Sequence, residues 1–215
     1  SRYIVDAQNR ELIVTSDQPK VLGVDVARFG TDRTVLALTQ GGRLRIIESR
    51  GKQSTTETTG RVIHHIETEG VAEVRVDGVG VGGGVVDQLV EHGMPVLDMQ
   101  AGAGAEDPRQ FKNARAEWYW GLRQLFEQGA VDLDPDDDDL AAQLGALRYV
   151  YTSRGQLQIE SKDDMKKRGM PSPDRADAVM LALARINLPE AGYGSTDDVL
   201  AHDDTDDALD WAMDY

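Results

Sequence analysis

Three β-rich runs lie within the first fifty residues, separated by gaps of turn length, and this meander limits what the chain can fold into. Residues 21–26 (VLGVDV) read as a strand in an apolar run. Residues 28–33 (RFGTDR) read as a turn and 34–39 (TVLALT) as a second strand. A tight turn at Gly41-Gly42 then leads into a third strand over 44–48. From there the pattern alternates. The spacing of Val62, Ile63 and Ile66 predicts a helix over 55–69, closed by Gly70. A fourth strand follows over 72–77 (AEVRVD), then a glycine-rich loop over 78–84, a helix over 85–92 and a short fifth strand over 95–99. A meander followed by alternating helices and strands implies an α/β fold, a mixed five-stranded sheet with helices on its faces.

The second half is expected to be more helical. A helix over 113–127 turns Ala116, Trp120, Leu122, Leu125 and Phe126 inward, and of Trp118, Tyr119 and Trp120 at least one belongs to the core. Another helix spans 138–147, and a β-hairpin pairs 148–152 with 156–160. Residues 161–172 read as a loop with a basic middle, and 173–188 as the last helix, with Ser172 as cap and Pro173 in its first position. Residues 1–19 look like a polar lead-in or linker and 189–215 like an acidic flexible tail, leaving 20–188 as the domain.

The chain has no cysteine, so disulfides and thiolate metal sites are excluded and any metal must rely on oxygen or imidazole ligands. It contains no apolar run long enough to span a membrane. A net charge of −15 argues against a nucleic-acid partner at first sight. Fifteen acids, nine in residues 189–215 and six among Asp132, Asp134 and Asp136 to Asp139, account for all of it. The remainder is neutral and free to hold basic patches.

The acids inside apolar patterns carry the chemistry. Asp25 interrupts a run that otherwise reads as buried, where a charge is costly unless paired or bound to a cation. Asp77 ends the fourth strand just before the glycine-rich loop. With the first and fourth strands adjacent, these two carboxylates come close and repel unless a cation lies between them. Asp174 suits the first turn of the last helix, where the dipole favours acids. Asp177 shares a helical stripe with Met180, Leu181 and Ala184, so it faces the sheet and asks for a partner. For each of them an ordinary salt bridge or turn role is the alternative. Together they offer an all-oxygen site suited to Mg²⁺ or Mn²⁺. Asp25, on the central strand, is the candidate to bridge two ions.

The segments VLGVDVARFGTDRT, VRVDGVGVGGGVVDQL, FKNARAEWYWGLRQLFEQG and LQIESKDDMKKRGMPSPDRADAVMLALA, taken in this order over residues 20–188, resemble the nuclease domain of phage large terminase subunits. That resemblance implies a ribonuclease H-like fold, two-metal cleavage of double-stranded DNA by an endonuclease, and action during viral genome packaging in the host cytoplasm. It also implies a packaging ATPase domain, a portal and a small terminase subunit as partners. Carried over by position, Asp25, Asp77 and Asp177 match the acidic triad, and Asp174 matches a neighbouring acidic position. No G-x-x-x-x-G-K-[ST] segment is present, so ATP hydrolysis is not expected of these residues.

Arg28, Arg33, Lys162, Lys166, Lys167 and Arg168 are the candidates for DNA phosphate contacts, with Lys162 also placed to approach the acids. His64 and His65 are expected on the surface. Two other readings use parts of the same pattern. A junction resolvase or other ribonuclease H-like nuclease would use the same acids on another substrate. An actin-like nucleotide-binding domain shares the meander and the glycine-rich loop but needs a duplicated fold and leaves Asp177 unexplained.

Overall fold

The structure, a computed structural model, describes residues 2–27 and 32–184. One five-stranded sheet runs in the order β3-β2-β1-β4-β5. β1 (Lys20–Asp25), β2 (Arg33–Gln40) and β3 (Arg43–Gly51) form the antiparallel meander, while β4 (Glu73–Val76) and β5 (Val96–Asp98) extend it in parallel beyond β1. Two further strands, β6 (Tyr149–Tyr151) and β7 (Leu157–Ile159), form a separate hairpin. The described residues thus hold a single mixed sheet plus a hairpin, without the duplication that an actin-like domain needs.

The period-two alternation of β1 divides the domain into two layers. Leu22 and Val24 point into an apolar cluster with Val74 and Val76 of β4, Val62 of α2 (Thr55–Glu69), and Val85 and Leu89 of α3 (Val81–Glu91). Each such side chain contributes about 1.5–3 kcal/mol on burial. Gly23 points the other way, against α7 (Asp174–Leu183). A Cβ there would lie 2.2 Å from the carbonyl oxygen of Ala178 and 2.4 Å from the amide of Ala182, so only glycine lets α7 pack this closely on the central strand. On the same face Arg75 of β4 donates to the carbonyls of Leu181 and Ala182 at 3.4 and 3.2 Å, which anchors α7 to the next strand. The core of this layer is completed by α4 (Ala114–Glu127) and α5 (Asp138–Ala146).

Several local expectations are corrected. The stretch expected as a lead-in carries α1 (Arg2–Gln8), whose Ile4 and Ala7 are buried in the second core. The lead-in is stitched down by backbone and side-chain bonds: Leu133 N–H to the Ala7 carbonyl, Arg10 to the Val131 carbonyl, and the Leu12 amide to Asp132. Its polar composition hides a short apolar face. The basic loop contains α6 (Lys162–Lys167), begun by Ser161, whose hydroxyl accepts from the Asp164 amide and donates to the Asp164 carboxylate. Ser172 does not cap α7; Pro173 holds that position, and the Ser172 hydroxyl is buried without a hydrogen bond. In α4 it is Trp118 and Tyr119 that are buried, while Trp120 is only partly covered, against Phe111 and Tyr149. His65 is not a free surface group, since its ring lies 2.9 Å from Glu48.

The glycine-rich stretch is shorter as a loop than its composition suggests, because α3 already begins at Val81. A Cβ on Gly82 would fall 1.9 Å from the Asp77 carbonyl. Glycine therefore lets the start of α3 sit directly over the end of β4. The last helix is described to Ala184; its expected continuation over 185–188 and the acidic tail over 189–215 lie outside the described residues.

Candidate metal centre

Strand alternation places the first two acids. Gly23 pairs with Arg75 and Val24 with Val76, so Asp25 and Asp77 come next, side by side, on the face covered by α7. The close contact at Gly23 then sets the start of α7 over the same strand ends. Asp174 and Asp177, three residues apart and therefore neighbours on the helix surface, turn toward Asp25 from above. Asp25, Asp77 and Asp177 line one cavity of about 270 Å³, together with Asn113, Arg115 and Lys162.

Lys162 stands among the acids. Its Nζ is 3.0 Å from Oδ2 of Asp177, 3.7 Å from Oδ2 of Asp25 and 3.7 Å from Oδ1 of Asp174. Among the described residues no three carboxylates or histidines already close on a common point as a metal cage. They ring the ammonium instead.

The individual carboxylates are fastened differently. Oδ1 of Asp177 accepts from the Tyr119 hydroxyl at 2.7 Å and from Nη2 of Arg115 at 2.9 Å. Oδ2 of Asp174 accepts the Arg33 backbone amide at 2.7 Å, while its Oδ1 is buried with no hydrogen-bond partner. Oδ1 of Asp77 accepts the amides of Val79 and Ala101, both at 3.3 Å. No hydrogen bond among the described residues reaches the Asp25 carboxylate.

Four carboxylates thus share two cationic side chains, and their affinities for protons reflect it. Burial pushes Asp25 well above the usual carboxylate range; Lys162 pulls it back, and Asp177, Asp174 and Asp77 push it up further. Asp77 is raised in the same way, mainly by burial, against the pull of its two amides. Burial alone would raise Asp177 too, but Arg115, Lys162 and the Tyr119 hydroxyl outweigh it and leave it lowered. Lys162 loses solvation on burial, yet the facing acids raise its affinity for a proton, so it remains an ammonium. These residues fit a divalent cation. The candidate ligands are all carboxylates, one buried oxygen of Asp174 accepts no hydrogen bond, and negative charge exceeds positive.

The other basic candidates divide. Arg33 presents its amide to Asp174, but its guanidinium bonds to Ser49 of β3. Arg168 is bound to Glu160 and to the Ala146 carbonyl, and Lys167 to Asp164. Lys166 is exposed on α6. Arg28 lies outside the described residues. Arg115 and Tyr119 were not singled out by the sequence. Their signal was a polar pair four residues apart on one helix face, which a buried acid elsewhere in the chain required as partners.

No family model matches the chain, and no curated protein matches it. Solved structures do. The nuclease domain of the large terminase subunit gp2 of bacterial virus Sf6 superposes with a TM-score of 0.72 at 21% identity, over 85% of this chain and 96% of that one. The large terminase nuclease of thermophilic phage G20c, with bound magnesium, gives 0.63 at 20% identity, over 79% and 82%. The large terminase nuclease domain of Thermus phage P74-26 gives 0.58 at 18%, over 79% and 80%. Other structures of the Sf6 domain contain manganese or calcium. The chain has the ribonuclease H-like fold of the nuclease domains of phage large terminase subunits.

Proposed function

We propose that the chain is a metal-dependent endonuclease that cleaves double-stranded DNA during viral genome packaging, using two Mg²⁺ or Mn²⁺ ions held by Asp25, Asp77, Asp174 and Asp177. The observation that carries this reading is the convergence of acids from β1, the end of β4 and the start of α7 on a single cavity that Lys162 also lines. The metal-bound terminase nuclease domains of similar fold support it. Bound there, divalent ions supply an activated water and neutralise charge on a phosphodiester.

The chain's own residues set the frame for that chemistry. Asp25, which accepts no hydrogen bond among the described residues and lies on the central strand, would hold the ions with both oxygens available. Asp77, Asp174 and Asp177 each keep one oxygen fixed by protein donors and present the other. Lys162 balances charge among the acids and is close enough to steady a scissile phosphate. Lys166, exposed nearby on α6, is placed to touch the DNA backbone. The packaging ATPase domain, portal and small terminase subunit are the proposed partners, and the host cytoplasm the proposed setting. No helix among the described residues is long and apolar enough to cross a membrane.

A plasmid-nicking assay in Mn²⁺ tests the function. The unaltered protein should convert supercoiled DNA to nicked and linear forms, and Asp25→Ala should not. Cleavage that survives in Asp25→Ala overturns the assignment.

A further inference from the structure

The three fastened carboxylates share a feature that Asp177 shows most fully. Its Oδ1 receives two donors at 2.7 and 2.9 Å, which occupies both lone-pair directions of that oxygen, while Oδ2 faces Lys162 and the cavity. Both donors come from α4, and both are held in place themselves. Tyr119 is 3% exposed, walled in by the apolar core. The Arg115 guanidinium lies 5.0 Å over the Tyr119 ring, and its Nη1 reaches the Glu160 carbonyl at 3.4 Å. That carbonyl belongs to the residue just before the cap of α6, the helix that carries Lys162. Glu160 in turn is buried and gripped by Arg168. One chain of contacts therefore fixes both Oδ1 of Asp177 and the root of Lys162.

We infer that Tyr119 and Arg115 are positioning residues: they hold Oδ1 of Asp177 away from the metal, so that Asp177 ligates one ion through Oδ2 alone. This rests on the metal-site reading above. A buried tyrosine hydroxyl needs some partner, but two donors converging on one carboxylate oxygen do more than satisfy themselves. They fix the carboxylate plane, and they leave the second oxygen as the ligand. Hydrogen-bonded partners of this kind commonly govern metal affinity by about 10–100-fold.

Tyr119→Phe removes one donor while keeping the ring and its packing. Mn²⁺ binding, followed by electron paramagnetic resonance of free Mn²⁺, should weaken about tenfold or more in Tyr119→Phe and in Arg115→Lys. Melting temperatures without metal should stay within a few degrees of the parent, and affinity for DNA without divalent metal should not change. Tyr151→Phe, on the exposed hairpin, should match the parent throughout. If the parent binds Mn²⁺ and cuts DNA while Tyr119→Phe binds Mn²⁺ equally well, the positioning role is wrong and the nuclease reading stands. If the parent binds no Mn²⁺ at all, both fall. A crystal of the unaltered protein in Mn²⁺ decides independently of either variant's folding. One Asp177 oxygen on the metal supports the inference, and two overturn it.

Discussion

Two buried aspartates in this molecule look alike by exposure and differ in company. Asp132, 1% exposed, sits at the edge where β3 meets the segment after α4. It receives Arg43 at 3.4 Å, Arg45 at 2.9 Å and the Leu12 amide at 2.9 Å, and no second acid competes for them. Asp177, 5% exposed, is bonded as fully on one oxygen, yet shares one of its two cations, Lys162, with Asp25 and Asp174 while Asp77 lines the same cavity. The first arrangement leaves no negative charge uncovered, with one carboxylate against two guanidinia, and ties the segment after α1 to the domain. The second carries surplus negative charge that its own side chains do not neutralise. Burial alone does not mark a functional acid; an unbalanced group of them does.

The sharpest way to break the comparison is to neutralise one acid at each place. Asp25→Asn or Asp77→Asn should lower DNA cleavage at least 10³-fold, about 4 kcal/mol of barrier. The melting temperature should hold or rise, because like-charge repulsion is relieved. Asp132→Ala should do the reverse. Losing the carboxylate that accepts the Leu12 amide and the two part-exposed guanidinia costs about 3 kcal/mol, read by urea unfolding, with cleavage per folded molecule unchanged. If Asp25→Asn unfolds the protein instead, the cavity is a structural ion cluster.

A smaller effect is expected at Gly23, which sets how closely α7 packs on β1. Gly23→Ala forces a methyl into the α7 backbone and should cost about 1–3 kcal/mol. Mn²⁺ affinity should fall with it, since α7 carries two of the acids. The smallest effect concerns Glu48, whose partners Arg61 and His65 belong to α2, in the layer on the other side of the sheet from α7. Burial would raise Glu48, but Arg61 and His65 outweigh it and hold it below the usual range. Its ion pairs should therefore contribute on the order of 1 kcal/mol above the unfolded-state value, lost as pH falls through the lowered folded-state value. Glu48→Gln should thus be less stable than the parent near neutrality, with the gap closing in acid.

Much of this was legible in the sequence because it follows from alternation. The three-strand meander, the helix over Thr55–Glu69 and the placing of Asp25 and Asp77 on one strand face all come from period-two and helical patterns. The Asp177 stripe pointed to the sheet for the same reason. What stayed hidden depends on contacts between distant segments. A short apolar face in α1 reads as polar because only Ile4 and Ala7 are buried. α6 reads as a loop because five charged residues outweigh one buried Met165. Arg168 reads as part of a basic run with Lys166 and Lys167, and only the fold brings it to Glu160. Arg115 and Tyr119 lie in a segment that resembles the family, but nothing local marks them; their role is set by Asp177, far along the chain.

Anomalous scattering from crystals grown in Mn²⁺ tests the central claim most directly. Peaks bonded to Asp25 and to at least one of Asp77 and Asp177 are predicted, within the cavity that Lys162 now shares. A map with no peak there at saturating Mn²⁺, and with Lys162 still seated on Asp177, would contradict it.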